Sequence, residues 1–281
     1  MLKLDASAPT LSRCQCGHCP VRRTGLCNAF ADGEGLPLAD LEAAHLPVRV
    51  FDAGDSIYAQ GDATDYVYSV VSGWVHLHQA MPDGRCHISQ FLLPGALFGV
   101  KPLGARHSQG ASTITTASIC AIPTVRVIEL RRLHPALNER FIAMLESENL
   151  FATESLTMMG QGTSMERVAR ILWGLAKRLS APEAVPVGVG LNAPLTQRHL
   201  ANATGLTTIH VNRVLRRLRE QGVVEFHDAT MIVLDPRRLA GLANEAPQSE
   251  ARWALRASMD DRPGRPVTGL RRQEHVYALD A

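Results

Sequence analysis

"LTQRHLANATGLTTIHVNRVLRRLREQG", residues 195–222, is the stretch on which the reading of this chain turns. Thr196 places a side-chain oxygen where a helix would begin, and Leu200 and Ala201 follow as its apolar face. Gly205 interrupts that helix with the residue best able to turn a chain tightly, and Leu206 supplies an apolar contact to pack the turn. Thr207 or Thr208 can cap a second helix, along which Val211, Val214, Leu215 and Leu218 recur every three to four residues. Two short helices joined through a glycine turn make a helix-turn-helix. The outward side of the second helix carries Ile209, Asn212, Arg213, Arg216, Arg217 and Arg219. Ile209, Asn212 and Arg213 stand near its N-terminal end, the end that enters a major groove. Asparagine suits bidentate contact with adenine and arginine with guanine, while Arg216 and its neighbours suit phosphates. Thr196 and Thr208, at the two helix starts, complete the expected DNA-binding set. The competing reading is a charged helix that merely faces solvent. Next, "VVEFHDATMIVLD" reads as two strands and a tight turn, a wing beside the reading helix.

Composition sets the bounds on the remainder. A chain of 281 residues has room for two domains with proper cores. Its 29 Lys and Arg against 27 Asp and Glu leave a net charge of only +2, so any nucleic-acid site must come from local clustering. The start, "MLKLDASAPT", lacks the apolar stretch of a secretory signal, and no later run reaches membrane-spanning length. A cytoplasmic address without a membrane partner is therefore expected, and there thiols stay reduced. That matters for "CQCGHCPVRRTGLC", residues 14–27, which holds four of the six cysteines. A disulfide staple is disfavoured in a reducing compartment; a zinc site and an iron–sulfur holder both remain open on the residues alone.

Between about Val48 and Leu130 the chain shows short β-type runs parted by Gly, Pro and Asp turns, clearest in residues 48–62, 66–85 and 86–100. In "WVHLH", Val75 and Leu77 fall on one face and Trp74, His76 and His78 on the other. Many short strands at this spacing predict a sandwich or barrel of jelly-roll type. The pattern then turns helical: Ile142, Leu145, Asn149, Ala152, Leu156 and Met159 are spaced alternately three and four apart. That is a coiled-coil seam, and a polar Asn149 at an inward position would fix its register. The alternative is a long helix whose stripe covers its own β-domain. "SMERVARILWGLAKRL", residues 164–179, follows as an amphipathic helix, and residues 180–194 read as a Pro- and Gly-containing loop.

A β-roll, a long seamed helix and a winged helix-turn-helix together resemble the CRP/FNR superfamily of dimeric bacterial transcription regulators, over about Leu36 to Leu239. The resemblance implies an α+β fold: an N-terminal jelly-roll sensory domain of cyclic-nucleotide-binding type, a dimerisation helix and a C-terminal winged helix-turn-helix. The corresponding segments are 1–35 (cysteine-rich), 36–136 (β-roll), 137–163 (dimerisation helix) and 164–243 (DNA-binding domain); residues 244–281 lie outside the resemblance and are expected to form a largely disordered tail with room for a short helix around Trp253. The resemblance implies a homodimer on a near-palindromic double-stranded DNA site, RNA polymerase as a partner, and no catalytic turnover. An enzyme with a regulatory β-roll is the contrary class, but no phosphate loop, catalytic triad or paired-carboxylate motif follows the roll.

The superfamily's effectors differ. Members that bind cyclic AMP carry a Gly-Glu pair after the "LPGALFG"-like turn and an Arg-Ser pair about ten residues on; here Val100 and Lys101 follow Gly99, and Arg106 is followed by His107. A cyclic nucleotide is thereby disfavoured. Members of FNR type hold a 4Fe–4S cluster with three N-terminal cysteines and one in the roll. Cys16-x2-Cys19-x7-Cys27 resembles the FixK/FnrN-like spacing, and Cys120 in "SICAIPT" stands where the family's fourth ligand sits. The resemblance therefore implies Cys16, Cys19, Cys27 and Cys120 as metal ligands, with Cys14 able to replace Cys16 and Cys86 a plain strand residue. Zinc or thiol redox, and haem on His76, His78, His87 or His107, are the other effector chemistries. FNR-type members read DNA through Glu-x-x-Ser-Arg, whereas this chain has Ile209-x-x-Asn212-Arg213, so a departure from the usual FNR half-site is expected.

Overall fold

The computed structural model describes residues 16–23, 25–30, 38–180 and 184–244. Cys14 and the helix expected around Trp253 lie outside the described residues. Two 3-10 turns, Cys16–His18 and Gly25–Phe30, precede α1 (Leu38–Ala44). Eight strands follow: β1 (Arg49–Phe51), β2 (Ser56–Tyr58), β3 (Tyr66–Ser72), β4 (Val75–Ala80), β5 (Cys86–Leu92), β6 (Leu97–Phe98), β7 (Gly110–Thr113) and β8 (Ala117–Pro123). They form two antiparallel four-stranded sheets, in the orders β1-β8-β3-β6 and β2-β7-β4-β5. The space between the sheets is filled by Tyr58, Tyr68, Val70, Val75, Leu92, Phe98 and Ile119. The β3–β4 corner depends on Gly73, at φ +82°, where a Cβ would come within 2.3 Å of the Thr116 carbonyl oxygen. Only glycine closes that turn.

The helical half begins with α2 (Thr124–Leu133) and α3 (Pro135–Gln161). Pro135 sits at the first turn of α3, where its missing N–H costs nothing. Thr163 then caps α4 (Ser164–Leu179) in a reciprocal capping box with Glu166. Val168, Ala169, Leu172, Leu175 and Ala176 form the fully buried stripe of α4, and truncating either leucine to alanine would cost about 2–5 kcal/mol. Beyond it come β9 (Gly190–Asn192), α5 (Gln197–Thr204), α6 (Thr208–Glu220), β10 (Val224–His227), β11 (Thr230–Val233) and α7 (Pro236–Leu242).

One feature departs from the sequence reading and another goes beyond it. The segment 180–194, expected as loop alone, contains β9, which pairs with β11 and makes the wing sheet three-stranded in the order β10-β11-β9. Its anchor is Leu191, buried opposite Met231; three residues are too few for a period-two pattern to show. The feature that goes beyond it is the outer face of β4 and β5, on whose cover the sequence pattern is silent. An antiparallel sheet commonly leaves one face to water. Here Trp74, Ile88, Phe91 and Leu93 join Leu172, Leu200, Leu215 and Leu218 in one continuous core, so the roll and the DNA-binding half pack on each other.

Candidate nucleic-acid interface and sensory centre

At the reading end, helix caps set the geometry. The Thr196 hydroxyl accepts from the His199 backbone N–H (3.2 Å), and His199 Nδ1 accepts from the Thr196 N–H (3.1 Å). Histidine thus takes the place usually held by Glu or Gln in a capping box, which sequence reading passed over. Gly205 ends α5 in the left-handed region at φ +66°. Thr207, not Thr208, caps α6, its hydroxyl accepting from the His210 N–H at 3.2 Å. Val211, Val214, Leu215 and Leu218 are buried beneath, leaving Thr208, Ile209, Asn212, Arg213 and Arg216 on the exposed side. Ile209 is 69 % exposed, which leaves its side chain open to an apolar contact. Arg216 reaches Glu220 one turn along at 2.8 Å. Thr196 is exposed at the start of α5, and the β10–β11 wing turns through Asp228 and Ala229, both at positive φ.

On α3 the seam residues separate into two groups. Ile142, Leu145, Asn149, Ala152 and Leu156 form an exposed stripe, with Leu156 73 % exposed. Met159 is half-buried and its Cε lies 2.9 Å from where a Gly205 Cβ would stand, so it abuts the helix-turn-helix corner. The first two turns of α3 bury Leu137 and Phe141 together with Cys16, Leu26 and Leu41.

That last contact leads to the sulfur-rich end. Cys16, Cys19, Cys27 and Cys120 line a single small cavity, along with Val21, Leu41, His45 and Ser69. The four thiols come from the two 3-10 turns and the connection between them, and from β8, where Cys120 lies opposite Ser69 of β3. Cys86, at the start of β5, does not line this cavity. His45 was not singled out from the sequence, since a lone histidine after "LEAA" carries no motif. Its Nδ1 meets Cys120 Sγ, and burial pushes its pKa down to about 4, against a weaker opposing pull from Glu42. The imidazole is therefore neutral at physiological pH. Among the described residues no group of three or more His, Cys, Asp or Glu side chains is placed so as to hold a metal ion.

The positions that differ from cyclic-AMP-binding members are occupied from within. Lys101 Nζ, nearly buried, is paired with Asp65 at 2.6 Å, and Gly104 N–H also donates to that carboxylate. The Lys101 hydrogen bond, followed by that of Gly104, holds the Asp65 carboxyl below its ordinary value. Arg106 donates to the Gly61 carbonyl. His107 is buried, stacked on Tyr58 at 3.9 Å and bonded to the Thr64 hydroxyl at 2.8 Å. These cations already have internal partners, which disfavours a phosphate claiming them. Of the histidines weighed for haem, His87 and His107 are held by hydrogen bonds, whereas Nδ1 of His76 and of His78 is buried without a hydrogen-bond partner among the described residues. The His76 and His78 rings are tilted at 42° with centroids 5.0 Å apart, His199 of α5 lies 6.0 Å from His76, and His87 bonds to the Asn202 carbonyl. Burial, with the neighbouring rings adding to it, pushes His76 down to about 4.

Comparison with known proteins agrees with this layout. Residues 48–134 match the cyclic nucleotide-binding domain family and residues 166–242 the Crp-like helix-turn-helix domain family. The nitrogen fixation regulation protein FixK of Bradyrhizobium diazoefficiens is 31% identical, over 81% of this chain and 93% of its own length. The transcriptional activator protein FnrL of Cereibacter sphaeroides is 30% identical, over 80% of this chain and 90% of its own. The solved structure of FixK2 from Bradyrhizobium japonicum superposes with a TM-score of 0.64 at 28% identity, covering 71% of this chain and 98% of that one. Among the described residues no helix is long and apolar enough to cross a membrane.

Proposed function

The chain belongs to the CRP/FNR family of DNA-binding transcription regulators, in the branch of FixK and FnrL, and from that premise we propose that it is an oxygen-responsive regulator holding a 4Fe–4S cluster. It is a regulator, not an enzyme. The observation that carries the oxygen reading is the convergence of Cys16, Cys19 and Cys27 with the distant Cys120 on one cavity. The donor set fits the group: four thiols are soft ligands of the kind iron–sulfur clusters take. A cubane carries its thiolates on four separate irons, so its donors need not focus on one point as those of a single ion do. When bound, such a cluster supplies a centre that oxygen can attack.

The chain's own residues give that centre a route to DNA. Cys16 and Leu26 share one apolar cluster with Leu137 and Phe141, so the cysteine segment rests on the first turns of α3. The exposed stripe from Ile142 to Leu156, which runs on along α3 beyond those turns, is the proposed dimer contact, with Asn149 setting register. Ordering the segment steadies α3; pairing α3 with its copy presents two α6 helices to successive major grooves of a near-palindromic site. Arg213 is assigned a guanine, Asn212 an adenine, Ile209 a thymine methyl, and Arg216 with Thr196 and Thr208 the backbone. RNA polymerase contact and a cytoplasmic address follow from the same reading.

Anaerobic isolation followed by iron and sulfide analysis tests the sensor: about four of each per protomer and a visible absorbance bleached by air are expected. Colourless, iron-free protein that binds DNA equally well would refute it. Unbiased binding-site selection tests the reading helix, and recovery of the ordinary FNR box would overturn the roles given to Ile209 and Asn212.

A further inference from the structure

We propose that His45 is a positioning residue of the cysteine chamber, donating its Nδ1–H to the sulfur of Cys120. The backbone brings the two side chains together independently of any bound group. Helix α1 ends at Ala44, which is buried among the chamber's apolar lining, and the next residue but one, Leu46, donates its N–H to the Ala121 carbonyl at 2.9 Å. His45 is thereby pinned beside β8 one step from Cys120, lines the same cavity, and meets Cys120 Sγ through Nδ1.

The choice of nitrogen follows from what each would lose. A charged imidazole carries an N–H on both nitrogens and an uncharged one on a single nitrogen, so Nδ1 lacks its N–H only in the Nε2–H form. Nε2 of His45 is buried without a hydrogen-bond partner among the described residues, whereas Nδ1 has the sulfur. Buried N–H groups are left orphaned more rarely than acceptors, so the proton belongs on Nδ1. A thiolate is a charged acceptor, and its bond to that N–H is of the stronger, charge-assisted kind. Cys120 lies on a rigid strand, while Cys16, Cys19 and Cys27 lie on short turns, so fixing the Cys120 rotamer fixes the one ligand direction against which the turns must fold. The hydrogen bond stands on the geometry; its redox consequence rests on the iron–sulfur reading. There, a donated N–H would favour the more negative, reduced cluster and raise its potential.

Two measurements test it on the full chain. In metal-free 15N-labelled protein, long-range imidazole spectra assign the His45 tautomer, the ring being identified by its loss in His45→Gln. The Nδ1–H form is expected, and the Nε2–H form would overturn the proposal whatever the chamber holds. Second, wild type, His45→Gln and His45→Leu are loaded anaerobically with ferrous iron and sulfide, folding being checked by circular dichroism. His45→Leu should hold a cluster of more negative midpoint potential and release iron to a chelator about 10–100-fold faster. His45→Gln, which keeps an N–H, should recover part of both. Equal potentials and equal release rates in all three proteins would also overturn it. Failure of the wild type to take up iron would instead sink the iron–sulfur reading, and the tautomer alone would then decide the role of His45.

Discussion

The reading end and the sensing end of this molecule are built on opposite principles. Helices α5 and α6 draw their caps, turn and buried stripe from consecutive residues: Thr196 with His199, Gly205, Thr207 with His210. The cysteine chamber draws on two 3-10 turns, the end of α1, β3 and β8, and has no local pattern that would form by itself. A device that must present a fixed surface to DNA benefits from self-sufficient local structure. One that must change state benefits from contacts that are individually weak and collectively conditional, because such regions open most readily.

Changes confined to one end should sharpen that contrast. The largest effect expected is from Cys120→Ser: anaerobically isolated protein should lose its iron nearly completely, while the thermal stability of the helix-turn-helix stays close to wild type. Retention of full iron content would show that the chamber is not what it is taken for. At the other end, Leu218→Ala empties a fully buried position of α6 and should destabilise the protein by about 2–5 kcal/mol in denaturant unfolding. On the surface of the same helix, Arg213→Ala should weaken DNA binding by about 1–3 kcal/mol and relax preference at one base pair; Arg216→Ala should lower affinity evenly across sequences and reduce the salt slope by about 1. Titration of binding at several salt concentrations separates the two.

The smallest effect concerns the seam between the halves. His76 and His78 on β4 face His199 and Arg198 on α5, with His87 and Cys86 on β5 beside them. The His76 pKa is lowered by burial and then by His78 and His199; His78 and His199 are lowered chiefly by burial. A depressed histidine pKa means that the unfolded chain binds protons first, near 6.5. Stability from the seam is therefore whole above that pH and is lost as pH falls toward about 4, the folded value for His76. The melting temperature should drop by a few degrees between pH 7 and pH 5.5, and by less in His76→Phe. An unchanged pH profile in that variant would remove these rings from the account.

The same contrast explains what could be read in advance. Gly205 and the three-to-four spacing of Val211, Val214, Leu215 and Leu218 are local signals, and the helix-turn-helix with its wing was legible from them. The β-type runs likewise announced the roll. Strand β9 was not legible, because three residues held by one buried leucine across from Met231 leave no period to detect. Nor was His45, whose meaning comes wholly from Cys120, a residue brought beside it by the Leu46–Ala121 hydrogen bond. The histidines of β4 fell on the face opposite Val75, as alternation requires, but alternation is silent on whether water or a helix covers that face.

What covers it has a practical consequence for anyone who would build hybrids from this regulator. Trp74, Ile88, Phe91 and Leu93 of the roll are walled in by residues of α4, α5 and α6, and Arg178 clasps the Phe91 carbonyl at 2.7 Å. Grafting a foreign DNA-reading module after α3 would strip that wall and bare a greasy patch with an indole and a phenyl at its centre. Chimeras should aggregate unless the graft carries matching side chains, and calorimetry of the intact chain should record one melting event where a string of beads would give two.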